Sequence, residues 1–266
     1  MSPRSAILVE SLGKCFRLDR GDPTHGLHRR LEQVLRSALV RQRSGREGNH
    51  LFWALRDVSF EVKSGEIFGI VGGNGAGKSV LLKILSRVTR PTEGQAFVRG
   101  RPGALLQLGT VVHPELTGRQ NIHQSAAILR LEKNYIRRKF DEIVAFSELE
   151  AFLDVPVRKY STGMQARLAF ALVSQLDTEI LFIDETLAVG DERFREKSLA
   201  RMDRLVSEGR TIVVVSHDLA FIRNRCHRAM MLDRGRVVKL GDPIEIASLY
   251  RGVLLEDTET LEHATA

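Results

Sequence analysis

The chain has 266 residues, 43% apolar and 27% charged, which suits an ordinary globular protein and excludes disordered, collagen-like and disulfide-scaffold chains. The longest apolar run, 168–173, is far below the roughly 18 residues of a membrane span, and no secretory signal is expected from the first ten residues. The net charge is +7, of which 20–46 alone carries +5, from Arg20, Arg29, Arg30, Arg36, Arg41, Arg43 and Arg46 against Asp22 and Glu32. Such a local excess points to a local anionic partner, a phospholipid surface or a nucleic acid.

Residues 6–18 read as a short strand and a turn. A basic insertion follows at 19–50. Within it Leu27, Leu31, Val34, Leu35, Ala38 and Leu39 fall on one helical face, and Asp22-Pro23 supplies a start signal. Strand alternation resumes at 55–62, then comes the apolar EIFGIVG, a glycine loop and a helix at 78–85. From there to about Ser161 the pattern is mostly helical, broken near His113-Pro114-Glu115. The last third alternates a strand at 180–184, a helix near 192–207, a strand at 211–217, a helix near 219–226 and a hairpin at 229–238. Short apolar strands alternating with helices predict an α/β fold around a parallel sheet covered on both faces. Residues 253–266 are acidic and aperiodic and read as a mobile tail. Cys15 and Cys226 have no metal or redox spacing and read as incidental thiols.

Gly72-Gly73-Asn74-Gly75-Ala76-Gly77-Lys78-Ser79 fits G-x-x-x-x-G-K-[ST], between an apolar strand and a helical pattern. Glycines let backbone N–H groups turn toward phosphate oxygens, and the following helix adds its positive end. Lys78 has the reach for the β and γ phosphates, and the Ser79 hydroxyl suits Mg²⁺. The strand at 180–184 ends in Asp184-Glu185, at the edge where open α/β sheets bind ligands. Asp184 is expected to hold Mg²⁺ and Glu185 to polarise the attacking water as general base. These motifs describe a P-loop nucleotide hydrolase.

Further segments narrow the reading. Tyr160-Ser161-Thr162-Gly163-Met164-Gln165 leads through a helical run to the Asp184 strand, Gly190-Asp191 follows it, and His217 ends the next strand. Gln107 lies between the phosphate loop and the helical middle. This order resembles the ATP-binding cassette (ABC) family, the motor subunits of ABC transporters, over residues 6 to about 250. The resemblance implies a P-loop ATPase fold at 6–252. It has a mainly parallel sheet, an antiparallel β subdomain and a small helical subdomain at 109–162. It also implies a head-to-tail homodimer, each ATP lying between one phosphate loop and the other subunit's Ser161 and Gly163. Gln107 would link Mg²⁺ and water to the transport partner, Asp191 would belong to the D-loop, and His217 would contact the γ-phosphate. Phe16 falls where the family stacks an aromatic on adenine, and Trp53 is a second candidate. Val80 and Thr162 depart from the usual pattern; Val80 implies weaker nucleotide binding, with catalysis kept.

The insertion, the segment ALLQLGTVVHPELTGRQNI and the YSTGM signature followed by ARLAFAL resemble exporters of bacterial cell-surface polysaccharides. That resemblance implies a separate integral-membrane permease, a lipid-linked glycan as cargo, and a place on the cytoplasmic face of the inner membrane. Some members carry a C-terminal carbohydrate-binding domain, which is not expected here. The alternatives are another exported cargo such as a drug or lipid, or a soluble ABC ATPase acting on nucleic acid or ribosomes. Nucleic acid is not the expected partner, because the basic segment lacks interleaved aromatics.

Overall fold

The computed structural model describes residues 5–17, 51–105, 112–128, 133–175, 177–184 and 191–265. The basic insertion at 19–50, Gln107, Glu185 and Gly190 lie outside the described residues. Ser5–Arg17 (β1) and Leu51–Lys63 (β2) pair antiparallel, both longer than their sequence pattern suggests. Ile67–Val71 (β3) follows; all five of its residues are buried, as expected of a strand covered on both faces. Lys78–Leu85 (α1) starts directly after the glycine loop and buries Leu81, Leu82, Ile84 and Leu85.

Two strands then appear where the pattern reads as helix: Glu93–Val98 (β4) and Pro102–Leu105 (β5). Edge position explains both. Among the described residues β4 pairs with β1 only and buries Val98 alone, so its sequence shows no apolar alternation. β5 is four residues long and borders one strand. The helical subdomain follows with Gly118–Ile128 (α2), Lys133–Ser147 (α3) and short 3₁₀ turns at Glu150–Phe152 and Val157–Lys159. Thr162–Ser174 (α4), capped by Ser161, leads into Ile180–Asp184 (β6). Glu192–Ser207 (α5), Thr211–Val215 (β7), Leu219–Arg225 (α6), and the hairpin Arg228–Asp233 (β8) and Arg236–Gly241 (β9) complete the expected alternation.

The last described element is a helix, and its later part, 253–265, falls in the segment whose composition reads as a tail. Pro243–Thr265 (α7) starts where Asp242 Oδ1 accepts the N–H groups of Ile244 (2.8 Å) and Glu245 (3.2 Å). Its first turns bury Ile246, Ala247 and Tyr250, and its backbone continues through Gly252 without a break.

Two sheets result. One is the antiparallel trio β2-β1-β4; the other runs β5-β6-β7-β3-β8-β9, parallel except for β9. One apolar cluster lies between the sheets and α1, around Phe68, Phe182, Leu81 and Leu82. The other holds α4 and the helical subdomain to the opposite face of the large sheet, through Leu168, Leu172 and Ile183. Each fully buried side chain of this size contributes about 1.5–3 kcal/mol. Because β6, β7 and β3 are adjacent and parallel, their carboxyl ends stand side by side on one edge. That edge positions the site.

Candidate active site

The phosphate loop leaves the carboxyl end of β3 and enters α1 through two glycines, Gly72 and Gly77, that leave no room for a Cβ. Gly77 has φ +104°, and a Cβ there would stand 2.5 Å from Ala54 O and 2.8 Å from Leu55 Cδ2. A Cβ on Gly72 would stand 2.1 Å from Leu232 O. The loop is thus wedged between β2 and β8, while Asn74 and Gly75 at its tip are exposed and Ala76 is buried. A turn hydrogen bond from Ala76 N to Gly73 O (3.1 Å) closes it.

Lys78 is folded back into this loop. Its Nζ donates to Gly72 O (2.6 Å) and Gly73 O (3.1 Å) and lies 3.5 Å from His217 Nε2. Ser79 Oγ donates to Asp184 Oδ2 (3.4 Å), across from α1 to the end of β6. His217 follows β7, and its Nδ1 lies 3.2 Å from the Tyr250 hydroxyl. The strand order therefore brings Lys78, Ser79, Asp184 and His217 together although they are spread over 140 residues of chain.

The oxygens of Ser79 and Asp184 are a hard, sparse donor pair. Mg²⁺ suits such a pair, because it keeps several waters and takes one or two protein oxygens beside substrate phosphates. No group of three or more His, Cys, Asp or Glu side chains arranged for a metal occurs among the described residues.

The signature segment belongs to a different layer. Ser161 is exposed and caps α4, its Oγ accepting Met164 N–H (3.2 Å), with Gly163 the second residue of the helix. Asp191 caps α5 by accepting Phe194 N–H (2.8 Å), and its other oxygen is paired with Arg167 of α4. The Phe194 N–H, seconded by the Arg167 charge, holds the Asp191 carboxyl below its usual range. Arg167 also pairs with Glu148 (3.4 Å), and Lys197 reaches the same carboxylate (2.8 Å). The Lys197 hydrogen bond is the main cause that lowers Glu148. In this chain Asp191 thus ties the signature helix to the segment after β6.

Phe16 and Trp53 sit in the β1–β2 pair, opposite Phe52 and Cys15 respectively. Alternation puts them on opposite faces. Phe16 shares its side of β1 with Leu12, which belongs to the cluster that contains α1. Lys14 Nζ lies over the Phe16 ring at 5.3 Å. Trp53 instead lies against Gly13, its ring 3.1 Å from where a Cβ would be. The half-buried Val80 packs against the same cluster as α1. Tyr250 was not legible as a site residue: Ile246, Ala247 and Tyr250 have helical core spacing and nothing in the sequence sets the tyrosine apart.

A model of the ABC transporter family matches residues 55–188. The chain belongs to the ABC transporter family. It carries that family's ATP-binding, ATP-hydrolysing cassette. The O-antigen export system ATP-binding protein RfbB of Myxococcus xanthus is 42% identical over 251 residues, covering 92% of this chain and 55% of that protein. RfbB of Klebsiella pneumoniae is 40% identical over 75% of this chain and 81% of its own length. The teichoic acids export ATP-binding protein TagH of Lactococcus lactis is 40% identical over 75% of this chain and 42% of its own length. This cassette therefore spans about half the length of some curated relatives and most of others. Among solved structures, a dimeric post-hydrolysis ATP-binding cassette bound to ADP and Pi superposes with TM-score 0.69 at 22% identity, covering 89% of this chain and 98% of that one. A nucleotide-free cassette superposes with TM-score 0.65 at 16% identity, over 92% of this chain and 96% of that one. These likenesses agree with the ABC ATPase fold. No helix among the described residues is long and apolar enough to cross a membrane.

Proposed function

We propose that this cassette is the motor of an exporter. As a head-to-tail homodimer on the cytoplasmic face of the inner membrane, it drives a lipid-linked cell-surface polysaccharide through a separate permease. The reading is carried by relatives named for O-antigen and teichoic acid export at about 40% identity across three quarters or more of the chain. The phosphate-loop geometry supports ATP as the fuel.

In this reading the ammonium of Lys78 leaves Gly72 O for the β and γ phosphate oxygens when ATP enters. Ser79 and Asp184 would hold Mg²⁺, and Gln107 would link it and the water to the permease. Bound there, Mg²⁺ neutralises charge on the phosphate oxygens. Glu185 takes a proton from the attacking water as general base. His217 donates from its imidazole to the γ-phosphate and stabilises its charge in the transition state. Ser161 and Gly163 at the exposed start of α4 meet the γ-phosphate bound by the partner subunit, so hydrolysis removes the contact that holds the dimer shut. Phe16 stacks on the adenine. Asp191 positions the D-loop through its pair with Arg167. The basic segment at 19–50, if helical as its spacing predicts, would lie on anionic head groups with its leucine face down and help place the lipid-linked cargo.

The test is an ATP-dependent pull-down with tagged Glu185→Gln from gently solubilised membranes. Recovery of one small polytopic membrane protein in equal amount supports the exporter reading. Recovery of ribosomes or nucleic acid from the soluble fraction, without a membrane partner, overturns it. Replacing Arg29, Arg30 and Arg36 with Gln is expected to weaken export and leave ATP hydrolysis unchanged.

A further inference from the structure

His217 is exposed, yet its action requires a ring held in one plane with a chosen nitrogen toward the nucleotide. The structure holds the far edge of that ring from α7. Tyr250 is 2% exposed. Its hydroxyl donates to Gly72 O (3.1 Å) and lies 3.2 Å from His217 Nδ1. One side chain from the last helix thus touches both the phosphate loop and the histidine.

These contacts dictate a tautomer. A carbonyl only accepts, so the single hydroxyl proton of Tyr250 goes to Gly72 O. Toward Nδ1 the hydroxyl then accepts, which makes Nδ1 the protonated nitrogen. On the other edge Lys78, which only donates, faces Nε2 at 3.5 Å. Tyr250 and Lys78 ask for the same form: Nδ1–H and a lone pair on Nε2. A γ-phosphate oxygen asks for the opposite, because it accepts and needs Nε2–H.

We propose that Tyr250 is the positioning residue for His217, a two-way hydroxyl that holds the ring in the Nδ1–H form without nucleotide and in the Nε2–H form with ATP. When the Lys78 ammonium moves to the phosphates, Nε2 loses the contact with Lys78. The Tyr250 hydroxyl then rotates from Gly72 O to Nδ1 and donates there. The ring loses the Nδ1 proton to water and gains one at Nε2 from water, with no net proton taken up. Gly72 O loses the Tyr250 and Lys78 hydrogen bonds together, so the state of the loop and the state of the histidine change as one. This rests on the role given to His217 above, and goes beyond it by assigning what orients the ring.

The test compares Tyr250→Phe, which keeps the ring and removes the hydroxyl, with the unaltered full-length chain. The kcat for ATP is expected to fall roughly 3–10-fold, as for one lost hydrogen bond, with KM within about twofold. In the His217→Ala background the same change is expected to add less than about a twofold loss. Two-bond ¹H–¹⁵N correlations of the His217 ring, assigned by their absence from His217→Ala, are expected to show Nδ1–H without nucleotide and Nε2–H with non-hydrolysable ATP analogue. In Tyr250→Phe the two forms are expected to be mixed in both states. Losses that multiply in the double variant, or an unchanged tautomer in Tyr250→Phe, overturn the proposal. An unaltered kcat in His217→Ala alone overturns the catalytic reading of His217, and the ring signals still decide whether Tyr250 governs its tautomer.

Discussion

Gly77→Ala and Gly73→Ala are the same chemical change four residues apart in one loop, and the structure demands opposite outcomes. At Gly77 the backbone has φ +104°, a conformation that costs an L residue about 1–3 kcal/mol. The new methyl would also stand 2.5 Å from Ala54 O, which β2 holds in place, and 2.8 Å from Leu55 Cδ2. Overpacking against such neighbours adds about 1–3 kcal/mol. At Gly73 no heavy atom lies within 4 Å of a Cβ and φ is outside the left-handed range. There the substitution stiffens the unfolded chain and contributes about 0.4–1 kcal/mol of stability. For a chain of this size each kcal/mol moves the midpoint by roughly 2–4 °C. Gly77→Ala is therefore expected to unfold roughly 5–20 °C below the unaltered protein, and Gly73→Ala at or slightly above it. Thermal unfolding followed by circular dichroism reads both. Equal midpoints for the two variants would refute the reasoning, because composition and position in the motif would then outweigh local geometry.

Lys197→Met removes hydrogen bonds to Glu148 and to Phe146 O and is expected to lower the midpoint by roughly 2–4 °C at pH 7, for about 1 kcal/mol lost. Glu148 has a lowered folded-state pKa, so its increment is present above the unfolded value near 4 and is lost as pH falls through the folded one. The gap between the two proteins is thus expected to narrow below about pH 4, and a gap independent of pH would contradict the pairing. Burial pushes the Cys226 thiol up to about 12 while Cys15 is half-buried, so a thiol reagent at pH 8 is expected to count one cysteine in the native chain and two in denaturant. Asp184→Asn is expected to raise the Mg²⁺ needed for half-maximal ATP hydrolysis roughly 10–100-fold, read by titrating Mg²⁺ after chelation.

What was legible in the sequence follows from how local its causes are. The glycine loop, the strands at 180–184 and 211–217 and the helices at 78–85 and 192–207 announce themselves because burial on both faces, or on one stripe, imposes a short-range pattern. β4 and β5 left no such mark. Each exists because a partner strand lies beside it, and an exposed edge strand needs no alternation. The helix from Pro243 was hidden for a related reason: one early turn is buried, and the acidic remainder resembles a tail.

The site divides the same way. Motif spacing reveals which residues carry chemistry, because phosphate and metal chemistry restrict residue type. It does not reveal that β6, β7 and β3 stand adjacent, and only that order lets Ser79 meet Asp184 and Lys78 approach His217. Tyr250 lies furthest from sequence-level reading, since its partner Gly72 is 178 positions away. A tyrosine at a core position reads as packing until the fold sets its hydroxyl against Gly72 O and His217 Nδ1. The motifs are therefore local, whereas the contact that joins Tyr250 to Gly72 and His217 is one that only the fold creates.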